Sequence, residues 1–95
     1  MAVMITATIP GGSAEQDAAM QQALGLASNP PAGALLRLAG PVANGWRIVS
    51  VWESQDAFEQ FRRERLEPAL KQAGNPLPQF EVAPLHSVQM PQSSS

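Results

Sequence analysis

The sequence predicts an α+β domain of element order βαββαβ, with a four-stranded antiparallel sheet and both helices on one face. Three observations carry this. Apolar and β-branched runs alternate with period two and close on Gly/Pro turns. Two stretches place apolar residues at i, i+3 and i+4 behind a serine that can cap a helix. An Asn-Gly pair separates two strand-like segments. At 95 residues, 44% of them apolar, the chain has room for one domain and a thin core. We expect that domain over residues 1–88 and a polar tail over 89–95.

Residues 2–9 read as the first strand. Val3, Ile5, Ala7 and Ile9 lie on one side, Met4, Thr6 and Thr8 on the other, and Pro10-Gly11-Gly12 turns the chain. Ser13 then caps a helix, with Gln16 as capping-box partner and Glu15 and Asp17 in the first turn, where the helix dipole favours them. Met20, Ala23, Leu24 and Ala27 form its apolar stripe; Gly25 weakens the last turn and Asn29-Pro30-Pro31 ends it. Residues 33–42 are the second strand, with Leu36 and Leu38 opposite Leu35, Arg37 and Ala39, and regular pairing is expected to stop at Gly40-Pro41.

Asn44-Gly45 is the expected hairpin turn, since both residues tolerate positive φ. Residues 46–53 return as the third strand, with Trp46, Ile48, Ser50 and Trp52 on one side and Arg47, Val49, Val51 and Glu53 on the other. Ser54 caps the second helix, whose stripe is Phe58, Phe61, Leu66, Ala69, Leu70 and Ala73. Pro68 cannot donate to the carbonyl of Glu64, so a kink is expected over 65–68, and Gly74 is a natural C′ residue. Residues 79–88 form the last strand, with Pro84 favouring a sheet edge.

This order gives a ferredoxin-like sheet in which right-handed crossovers set strands one and three side by side at the centre. Helices cover one face only. With Val3, Ile5, Ala7, Ile9, Val49 and Val51 turned toward the helices, the open face carries Met4, Thr6, Thr8, Trp46, Ile48, Ser50 and Trp52. An apolar patch holding two tryptophans calls for cover by a second copy about a two-fold axis. The expected partner is therefore the chain itself, as a homodimer with Trp46 and Ile48 in the interface.

The formal charge is −2, and Arg62, Arg63 and Arg65 alternate with Glu59, Glu64 and Glu67. That pattern is a solvated helix face and lacks the uncompensated basic stripe of a nucleic-acid binder. No apolar run reaches the length of a membrane span, and no basic-then-apolar segment resembles a signal peptide, so a cytoplasmic protein without membrane partners is expected. Without cysteine, disulfides and thiolate metal sites are excluded.

His86, the one histidine, is the sole candidate base, but no nucleophile or carboxylate accompanies it in sequence to form a triad. One imidazole cannot hold a metal by itself, so neither metal nor cofactor is expected. Trp52 and Trp46 can stack on an aromatic ligand or fill a core. Arg37 can neutralise an anion or pair with a carboxylate. Glu53, beside a helix start, suits a capping or ion-pair role. Gly11-Gly12 lacks the spacing of a phosphate loop.

The segment Gly45-Trp46-Arg47-Ile48-Val49-Ser50-Val51-Trp52-Glu53-Ser54, followed by Ala57-Phe58, resembles the antibiotic biosynthesis monooxygenase-like family of dimeric α+β barrels. The likeness is nearest to its small uncharacterised bacterial members. It extends through Ala39-Gly40-Pro41, the run from Arg65 to Leu70, and Pro84-Leu85-His86. The resemblance implies a dimer whose two sheets pack into a barrel with a cavity in each half, lined at the position of Trp52. Some members oxidise aromatic molecules without metal or flavin. Others degrade haem, using a histidine on the second helix that residues 54–73 lack. The asparagine of the cofactor-free oxygenases is replaced here by Ile48.

Two readings follow. The first is a homodimeric module with a small apolar or aromatic-ligand cavity lined by Trp52, Ser50, Thr6, Thr8 and Arg37. The alternative is a cofactor-independent monooxygenase-like enzyme acting on a small aromatic substrate.

Overall fold

The computed structural model describes residues 2–75, 77–87 and 89. Strand β1 (Val3–Pro10) leads into helix α1 (Ala14–Leu24), strands β2 (Ala34–Val42) and β3 (Gly45–Trp52), and helix α2 (Gln55–Phe61). A π-helical turn (Arg62–Leu66) joins α2 to helix α3 (Glu67–Ala73), and strand β4 (Gln79–Pro84) completes the order. All neighbouring strands are antiparallel, in the order β2-β3-β1-β4, so β1 and β3 are central as expected. Each crossover skips one strand: β3 lies between β1 and β2, and β1 lies between β3 and β4. The last expected strand is shorter than residues 79–88, and of the expected tail only Gln89 is among the described residues.

Register overturns the expected division of faces. Val3 pairs with Trp52, Ile5 with Ser50, Ala7 with Ile48 and Ile9 with Trp46. Directly opposed residues in an antiparallel pair point the same way. The row Trp46-Ile48-Ser50-Trp52 therefore shares the side of Val3, Ile5 and Ala7, which is the helix-covered side. Val49 and Val51 fall on the open side instead. The same rule sends Arg37 and Ala39 of β2 to the helix side and Leu36 and Leu38 to the open side.

Burial agrees. Val3, Ile5, Trp52 and Phe58 form the buried core, with Ala57, Phe61 and Phe80 packed on it. Charge alternation explains why the reversed arrangement wins. The other side of β3 begins with Arg47 and is followed in parity by Glu53, both exposed, and neither could be covered by a helix without losing its hydration.

Local signals account for the element ends. Ser13 Oγ accepts the Gln16 N–H at 3.2 Å, and Ser54 Oγ accepts the Ala57 N–H at 3.1 Å. Helix α1 stops at Leu24, earlier than the stripe through Ala27 implied, because Gly25 adopts φ 66° and its N–H caps the carbonyls of Gln21 and Gln22. Gly74, at φ 74°, ends α3 in the same way.

Pro68 produces the expected break as a π turn just before it. The Glu67 N–H reaches back five residues to the Arg62 carbonyl, so the helix widens by one residue just before the proline that can donate to no carbonyl. Pairing does not stop at Gly40-Pro41: Pro41 sits opposite Trp46 on edge strand β2, where a missing N–H can face outward. A bulge between Ala34 and Leu36 leaves Leu35 exposed.

The hairpin turn also shifts by one residue. Val42 pairs with Gly45, so Ala43 and Asn44 form the loop, and no non-glycine residue among those described has positive φ. Gly45 is needed for another reason. A Cβ there would stand 2.2 Å from the Ile9 carbonyl oxygen and 2.8 Å from the Gly11 nitrogen. Gly45→Ala should therefore destabilise the fold by about 2 kcal/mol or more. Denaturant unfolding of the variant beside Gly40→Ala, whose Cβ would meet nothing within 4 Å, checks this.

Candidate functional site

Strand β3 ends at Trp52, and the chain turns through the Ser54 cap directly into α2. That short connection lays α2 across the strand end and brings Phe58 and Phe61 onto the indole. The Trp52–Phe58 centroids are 5.5 Å apart and edge-to-face, Trp52–Phe61 5.3 Å and tilted, and Phe58–Phe80 5.2 Å and edge-to-face. Ring pairs in such geometry add about 0.5–1.5 kcal/mol each beyond area burial. The Trp52 indole N–H donates to Ser50 Oγ at 2.9 Å, so its polar atom is satisfied. Trp52 is 4% exposed. It is a core residue closed in by rings.

The remaining predicted residues divide between faces. Trp52, Ser50, Arg37, Trp46 and Ile48 stand on the helix side, and Thr6 and Thr8 on the open side. They do not converge on one cavity. Arg37 lies opposite Ser50 and forms an ion pair with Asp17 of α1, at 2.5 and 3.4 Å. Thr8 accepts a hydrogen bond from Arg47 Nε at 3.3 Å. His86 lies beyond β4 and is exposed. Among the described residues, no three His, Asp or Glu side chains cluster as a metal site requires.

Trp46 and Ile48, expected in a dimer interface on the open face, instead lie under the helices. The Trp46 indole N–H is buried and has no acceptor among the described residues. Such a donor costs about 1–3 kcal/mol relative to a satisfied one.

Helix α1 is fastened differently from α2. None of its apolar residues is buried, while the Asp17 side chain is 8% exposed. Polar contacts hold it: Asp17 to Arg37, and the Leu24 carbonyl accepting from Arg65 Nη2 at 2.6 Å. Arg65 also lies 5.6 Å from the Phe61 ring centroid, so one guanidinium links the end of α1 to the aromatic cluster. Arg62 pairs with Glu59 and, at 2.7 Å, with Glu67 five residues on, a spacing that the π turn provides. Its hydrogen bond to Glu59 raises the guanidinium above its ordinary pKa, and the charges of Glu59 and Glu67 act in the same direction.

Two hollows border the core. The larger, about 480 Å³ and open to solvent, is lined by Val3, Val82, Pro84, Ser54, Gln55 and Asp56. It is on the helix side, because Val82 and Pro84 pair with Ile5 and Val3. The smaller, about 80 Å³, lies between Pro31, Ala32, Ala57 and the Phe61–Arg65 turn. The larger cleft was missed from sequence. Its walls come from three segments far apart in the chain, β1, the start of α2 and β4, although Val82 as a large apolar residue on an edge strand was a visible signal.

On the open face the side chains form rows. Ala83, Met4, Val51 and Leu36 make one; Glu81, Thr6, Val49 and Leu38 the next; Gln79, Thr8, Arg47 and Gly40 the third. Leu36 is 45% exposed and Leu38 57%.

No protein-family model and no curated protein matches the sequence. Solved structures match its fold across nearly the whole chain. SnoaB, a cofactor-independent oxygenase from Streptomyces nogalater solved as a single-site mutant, superposes with a TM-score of 0.62 at 13% identity, over 92% of this chain and 93% of its own. A Deinococcus radiodurans protein provisionally described as an antibiotic biosynthesis monooxygenase gives 0.59 at 18% identity, over 98% and 100%. A Nitrosomonas europaea protein of unknown function gives 0.61 at 14%, over 97% and 95%. The chain has the fold of the antibiotic biosynthesis monooxygenase-like proteins, a ferredoxin-like antiparallel sheet with its helices in the order βαββαβ.

Two substitutions test the roles of the tryptophans. Trp52→Ala should cost about 3–5 kcal/mol, as removal of a buried ring does. Trp46→Phe removes the unpaired donor and should leave thermal stability unchanged or raise it. Calorimetry of the two variants separates a packed ring from a frustrated one.

Proposed function

We propose that the protein is a homodimeric module whose open sheet faces pack against one another and that each protomer holds a small apolar or aromatic molecule beside Trp52. The observation that carries the dimer is the row-ordered open face: Leu36 and Leu38 are exposed and Met4, Val49 and Val51 half-buried, and no helix among the described residues lies on that side. Leu36 and Leu38 alone hold large apolar area in water, and burying it gains roughly 25 cal/mol per Å². A two-fold axis supplies the same surface to itself and closes the assembly. The interface residues under this reading are Leu36, Leu38, Val49 and Val51 in place of Trp46 and Ile48.

The ligand reading draws on the open cleft. Its floor includes Val3, the cross-strand partner of Trp52, so a bound molecule would rest against the edge of the aromatic cluster. The cleft has the size and the mixed apolar and polar lining of small-molecule sites.

A second reading, an oxygenase of small aromatic molecules that needs no cofactor, is favoured by the fold shared with SnoaB over nearly the full length of both chains. Oxygen consumption with a panel of polycyclic phenols, compared with heat-denatured protein, distinguishes an enzyme from a binding module.

Light scattering tests the assembly. The wild-type chain should give about twice its 10.1 kDa mass at micromolar concentration, and Leu38→Glu should give the monomer with its circular dichroism unchanged. A monomeric wild type would refute the dimer.

A further inference from the structure

Helix α2 covers the strand end at Trp52 and reaches β4 where Phe58 meets Phe80, but leaves Val82 open to solvent. Val82 points to the helix side, as its partner Ile5 does, yet is 39% exposed while Ile5 is 2% exposed. An apolar floor of Val3, Val82 and Pro84 is thus left beneath a rim of Ser54, Gln55 and Asp56.

Asp56 supplies the one formal charge among the residues lining the cleft, at the first turn of α2, where the helix dipole offsets part of it. Asp56 has no ion pair and no side-chain hydrogen bond among the described residues, although Asp17, Glu59 and Glu67 each have an arginine. No lysine or arginine lines the cleft. Ser54 Oγ already accepts the Ala57 N–H, so its hydroxyl proton remains to be donated outward.

We infer that this cleft selects a molecule with an apolar body and a protonated amine, the body lying on Val3, Val82 and Pro84 and the ammonium on the Asp56 carboxylate. The inference rests on the proposed small-ligand reading and adds its charge. An acidic ligand would face Asp56 without a compensating cation, whereas an ammonium gains a charge-assisted hydrogen bond where its neutral counterpart gains an ordinary one. Asp56 is solvent-exposed, so the preference is of moderate size and weakens with salt.

The test uses three probes of matched shape: 2-phenylethylamine, 2-phenylethanol and phenylacetate. Each is titrated into the ¹⁵N-labelled full chain, following the backbone amides of Ser54 to Asp56 and Val82. The amine should bind about two- to fivefold more tightly than the alcohol at low salt, and phenylacetate more weakly than either. Asp56→Asn, which keeps the side-chain shape at the first turn of α2, should abolish the gap between amine and alcohol while leaving alcohol binding in place. Equal affinities for amine and alcohol, or a gap that survives in Asp56→Asn, would overturn the amine assignment and leave the apolar cleft standing. No perturbation of these amides by any probe would overturn both.

Discussion

The alignment of β1 with β3, which sets Val3 opposite Trp52, decides where the rest of the molecule goes. Side chains alternate faces with a period of two, so a one-residue slip would exchange every inward residue of β3 for an outward one. In the observed register Trp52 enters the space beneath α2 and meets Phe58 and Phe61, and Phe80 of β4 joins the cluster through Phe58. The opposite register would put Arg47 under the helices and two indoles in water. The rings hold the register, and the register delivers the rings.

From this follows an unequal attachment of the helices. The α2–π–α3 unit is anchored by buried rings and by Leu70, while α1, with no buried apolar residue, is held by Arg37 and Arg65. The π turn is part of this design. Pro68 forbids a regular helix at that point, and the extra residue absorbed before it places Glu67 beside Arg62. A proline that a helix could not accept in register becomes the start of a second helical segment.

The tertiary arrangement also separates stability from function. Trp52, which chemistry alone marks as a ligand platform, packs in the core and commits its one donor to Ser50. Among the described residues, the surfaces left uncovered include the open sheet face, apolar toward Leu36 and Leu38, and the cleft between β4 and the start of α2. Neither contains a paired acid and base. A fold shared with an oxygenase from Streptomyces nogalater at 13% identity carries architecture across that distance and leaves chemistry to the site residues.

Within the chain, local signals sufficed for element type, order and most ends. Ser13 and Ser54 are caps, Gly25 and Gly74 are stops, and Pro68 is a break, because each acts on backbone groups within five residues of itself. Helix crossovers that skip a strand placed β1 and β3 at the centre for the same reason: chain connectivity is itself local information. The face of each strand was a different kind of question. Val49 and Val51 look as buriable as Ile48 and Trp52, and only the pairing across the sheet, with the exposed charges of Arg47 and Glu53 in the same parity, chooses between them. Arg37 with Asp17, twenty residues apart, and a cleft walled by residues 3, 54–56, 82 and 84 likewise exist only once distant segments meet. Sequence determined what each segment could become, since those preferences reside in single residues and their neighbours. The tertiary structure alone decided which side each residue serves, since burial is shared between segments that have no contact until the sheet closes.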